Sequence, residues 1–113
     1  MKRIILFCLV LLVLPLVVKA DPAKKVNLTY NDVTKKLKIE AIHPVNNPDK
    51  HYIDQIIIYV NDKEVRVMDL KKQSDKKAEI VEVEVPQIVS GCEIIVKTRC
   101  NEFGTKKGTL KYK

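Results

Sequence analysis

The sequence predicts an all-β domain, a β-sandwich of about seven short strands, on two observations. Apolar residues alternate with polar ones over strand-length runs, the period-2 pattern of a chain with one face buried. Clusters of Asn, Asp, Gly, Pro, Ser and Lys separate those runs at intervals of roughly 8 to 12 residues, the turn spacing of a sandwich.

The first stretch lies outside that domain. MKRIILFCLVLLVLPLVVKA opens with Lys2 and Arg3, runs apolar from Ile4 to Val18 and reaches a small residue, Ala20, before Asp21. This order is that of a secretory signal, with cleavage expected after Ala20 and an uncleaved membrane anchor as the alternative. Cys8, inside the apolar run, leaves with the signal. Residues 1–20 are thus read as a signal peptide and 21–113 as one exported domain, periplasmic or secreted. No later segment is apolar over the length a membrane span needs.

Within the domain, Val26, Leu28 and Tyr30 mark a first strand, and YNDVTKK turns the chain into a second at Leu37, Ile39 and Ala41. The loop HPVNNPDKH leads to IDQIIIYV, whose β-branched isoleucines and following VNDKEV turn favour a central strand entering a hairpin over a helix. Val65 and Val67 continue the hairpin. After KKQSDKK come Val81, Val83 and Val85, with Glu82 and Glu84 alternating toward solvent. PQIVSG precedes Ile94, Val96 and Thr98, and NEFGTKKG introduces a basic last strand.

Removing residues 1–20 takes away three basic and no acidic side chains, so the net charge falls from +7 to +4. Lysines and acids are interspersed and no arginine cluster occurs, so nucleic acid is not an expected partner. A mildly positive field still favours a small anion. None of the three glycines lies in a phosphate-cradling loop, and neither a Ser-His-acid order nor HExxH spacing is present.

The residues left to carry chemistry are the two histidines, His43 and His51, and the thiols of Cys92 and Cys100. An oxidising compartment favours pairing two cysteines. Along one straight strand, however, Cys92 and Cys100 lie about 26 Å apart, against the 7 Å or less a disulfide needs. Two thiols are therefore expected, on the same strand face, unless a bulge bends the strand. Composition alone reads each histidine as a solvated residue beside a proline-rich loop. Taken with Cys100, which closes a strand and opens a turn, they form a His₂Cys set that suits iron, zinc or copper and leaves a coordination position open.

At these residues the chain resembles the iron-binding domain of the desulfoferrodoxin and neelaredoxin superoxide reductases. The likeness rests on HP at His43, a loop and HYI at His51, an NDKEV hairpin and a CN-x-x-G turn at Cys100, and covers roughly residues 38 to 112. It implies an immunoglobulin-like sandwich, a mononuclear non-haem iron, superoxide as substrate and a separate electron donor. It also implies His43 and His51 as equatorial ligands and Cys100 as the axial thiolate. Two family elements are missing. Phe103 stands where the family turn CN-x-H-G has a histidine, and no Glu-Lys-His-x-Pro stretch occurs between Asp21 and Glu40. The ligand set is incomplete by two imidazoles. A weaker resemblance, to the sandwich-forming carrier subunit of sulfur oxidation, implies the alternative of a metal-free, partner-binding domain.

Overall fold

The computed structural model describes residues 20–113, so the expected signal segment lies outside the described residues apart from Ala20. Seven strands form: β1 (Lys25–Asn31), β2 (Lys36–Ile42), β3 (Ile53–Val60), β4 (Lys63–Asp69), β5 (Ala78–Glu84), β6 (Glu93–Cys100) and β7 (Thr105–Lys111). They make two antiparallel sheets, one ordered β1-β2-β5 and the other β4-β3-β6-β7. The expected sandwich is what the chain adopts, with IDQIIIYV a central strand between β4 and β6.

Alternation places the core. Leu37, Ile39 and Ala41 from β2 face Ile56 and Ile58 from β3 and Ile94 and Val96 from β6, all fully buried. Burying a side chain of that size contributes about 1.5 to 3 kcal/mol. Cys92 and Cys100 share the inward face of β6 and its approach, as the even spacing requires, and both are free thiols. Glu82 and Glu84 face solvent.

Turn chemistry fits the residues present. The Asn31 side chain accepts from the N–H groups of Val33 and Thr34, tightening the β1–β2 turn. Asn61 and Asp62 both have positive φ, as a two-residue hairpin of the favoured hand demands.

One expectation is corrected in β4. Val65 and Val67 do not both face inward, because the β3–β4 register shifts between Ile58 and Tyr59, leaving Val65 as the extra residue of a bulge. Beyond it Met68, not Val67, packs against the core, and Val67 is exposed.

The sheets meet tightly along one side. At Gly108 in β7, a Cβ would lie 2.4 Å from the Val26 carbonyl oxygen of β1, so only glycine permits this approach.

Candidate metal centre

His43 follows directly on β2 and continues its ladder, its N–H donating to Lys77 O at 2.9 Å. This carries the ring into the interior, where His43 is 1% exposed. The reading of His43 as a solvated loop residue is therefore corrected: the ladder, not the proline-rich loop, sets its position.

Gln73 fixes its tautomer. The Gln73 amide donates to His43 O at 2.7 Å and Asp75 O at 3.0 Å, so its oxygen must be the atom 2.7 Å from His43 Nδ1. That oxygen also accepts from Ile53 N–H. Nδ1 is thus the protonated nitrogen, and Nε2 presents its lone pair to the site.

His51 sits at the end of a turn in which its N–H donates to Asn47 O at 2.9 Å. The flanking residues are clamped by Asn101, whose side chain accepts from Tyr52 N–H and donates to Lys50 O, both at 2.9 Å. Since Asn101 adjoins Cys100, this clamp brings a histidine and a cysteine 49 positions apart in sequence to one place. The His43 and His51 rings meet edge to face, with centroids 4.9 Å apart.

Cys100 ends β6, opposite Ile53, with its sulfur buried. The Glu102 N–H points at Sγ from 3.4 Å. Arg99 is engaged elsewhere: its hydrogen bond to Asp54, and then the charge attraction between them, push its already high pKa further up.

One ligand atom each from His43, His51 and Cys100 lie within 4.8 Å of one another. The surrounding groups call for positive charge. His43 Nε2 lies 2.9 Å from the Asp21 carbonyl oxygen, an acceptor that is satisfied only by a proton or a cation on that nitrogen. His51 Nε2 is buried without a hydrogen-bond partner: the Asp21 carboxylate is 3.0 Å away but out of line for a hydrogen bond. His51 Nδ1 lies 3.7 Å from Glu102, which would orient the ring as a second carboxylate commonly does for a metal-bound histidine. An orphaned buried nitrogen, a directed lone pair and a buried sulfur are donors that fit a first-row metal ion.

No protein-family profile matches the chain, and no curated protein sequence does. Comparison with solved structures finds the superoxide reductase (1Fe-SOR) from Giardia intestinalis, with a TM-score of 0.58 over 82% of this chain and 98% of that one at 12% identity. The fold is superoxide reductase-like. At that identity the likeness concerns the arrangement of strands alone.

Sequence reasoning singled out His43, His51 and Cys100, which the structure brings together, and passed over two residues beside them. Gln73 lies in KKQSDKK, where nothing marks it as buried. Asp21 figured only as the residue after the expected cleavage point.

Proposed function

We propose that the chain is an exported, superoxide reductase-like protein that holds a mononuclear non-haem iron through His43, His51 and Cys100. The observation that carries this reading is the gathering of these three donors within 4.8 Å on a fold of that type. Bound there, ferrous iron would supply one electron to superoxide, which with two protons leaves as hydrogen peroxide while the iron becomes ferric. His43 offers Nε2 because Gln73 holds the proton on Nδ1. Cys100 offers an electron-rich sulfur, at which the Glu102 N–H points. The mildly positive domain draws a small anion toward the site. A separate reducing partner returns the electron.

The test is iron per chain after desalting, with peroxide formed per superoxide supplied, for wild type, Cys100→Ser and Phe103→His. Wild type, short of two family imidazoles, is expected to retain iron weakly and turn over slowly. Cys100→Ser should retain less. Phe103→His, adding an imidazole on the Cys100 turn, should retain more. Three proteins that bind no iron and behave alike would remove the enzyme reading in favour of a metal-free partner-binding sandwich. A tight stoichiometric iron in wild type would instead mean that other residues complete the set.

A further inference from the structure

The segment leading into β1 is docked onto the end of the sandwich where the two histidines and Cys100 meet. Asp21 N–H donates to Phe103 O at 2.9 Å, and Lys24 N–H to Ile42 O at 2.7 Å. Between them Ala23 is buried. Pro22 rests on Gly104 so closely that a Cβ there would lie 2.8 Å from Pro22 Cδ. Gly104 also has a φ of 103°, so the turn and the segment it supports both depend on glycine at that position.

Held this way, the Asp21 carboxylate reaches the two histidines, at the edge of the group they form with Cys100. Its Oδ2 lies 3.0 Å from His51 Nε2 and 4.0 Å from His43 Nε2. Donors at 2.0 to 2.3 Å from a tetrahedral metal ion stand about 3.3 to 3.8 Å from one another, a range these two distances bracket. The independent observation is His51 Nε2, a buried atom that makes no hydrogen bond among the described residues although the carboxylate is beside it at ion-pair distance. An imidazole nitrogen and a carboxylate oxygen that close, yet not hydrogen-bonded, are placed to share a metal cation.

We propose that Asp21 is a fourth metal ligand, so that the chain offers two imidazoles, one thiolate and one carboxylate. The proposal rests on the metal-site reading above and extends it. Such a set suits Zn²⁺ and Co²⁺ as well as Fe²⁺, and the usual order of affinities has Zn²⁺ displace Fe²⁺ at equilibrium.

Titration of the purified protein with Co²⁺ alone tests it, comparing wild type, Asp21→Asn, Asp21→Ala and Cys100→Ser. The near-ultraviolet thiolate-to-cobalt band reports Cys100, and the visible ligand-field bands report the remaining donors. Wild type and both Asp21 variants are expected to show the thiolate band. The Asp21 variants should bind Co²⁺ about tenfold or more weakly, with altered visible bands. Asp21 is half-exposed, and an unchanged urea midpoint for the metal-free Asp21→Asn protein confirms that folding is intact. Asp21 variants identical to wild type in affinity and spectrum overturn this proposal while leaving the three-ligand reading in place. A thiolate band missing from wild type itself overturns both.

Discussion

The Gln73 amide is engaged at every polar atom: its oxygen accepts from His43 and Ile53, and its nitrogen donates to the carbonyls of His43 and Asp75. Gln73→Leu strands those partners in a site where Gln73 was 4% exposed. It should cost about 1 to 3 kcal/mol or more of stability, read as a lower urea midpoint. By freeing the His43 tautomer it should also weaken metal binding about 10- to 100-fold. Gln73→Glu keeps an acceptor for Nδ1–H while losing both donated bonds. It should therefore retain more metal affinity than Leu at a comparable loss of stability, whereas a purely structural Gln73 would make affinity follow stability in both. At this scale the sequence was legible in part. Histidine and cysteine announce themselves by type, but Gln73 and Asp21 act through position, and only the closed fold reveals position.

Strand β6 connects the core to the site. Cys92 sits just before it and Cys100 ends it, both inward-facing. Alkylation of the purified protein, denatured without reductant, should label both cysteines, and the native protein should react slowly because both are 2% exposed. A quantitative bridge would remove Cys100 as a ligand. Strand β7 packs its glycine against β1, so Gly108→Ala pushes a methyl group into the Val26 carbonyl. The expected cost is about 1 to 3 kcal/mol, with the urea midpoint lowered and the m-value unchanged. The strands themselves were readable because a half-buried strand must alternate. The β4 bulge was not, since an extra residue leaves composition untouched and only shifts which valine points inward.

For the molecule as a whole, the expected maturation places Asp21 first in the exported chain. Intact mass and N-terminal sequencing should give a protein beginning at Asp21; a membrane-bound product retaining residues 1–20 would establish the anchor instead. The fold class was legible because turn spacing and alternation agreed along the whole domain. The grouping of His43, His51 and Cys100 was expected from the motif order, but the means of it, the β2–β5 ladder and the Asn101 clamp, was not legible.

The approach of Gly108 to Val26 joins the two sheets along β1 and β7, while β4 and β5 end their respective sheets with no further strand partner among the described residues. The sandwich is therefore bound like a book, with a spine on one side and loose page edges on the other. Thermal breathing should begin at the page edges. Hydrogen exchange is expected to reach the outward amides of β4 and β5 well before those of β1 and β7. The segment carrying Asp21 is stitched to the spine, so the covering of the candidate site should remain closed through the fluctuations that open the far side.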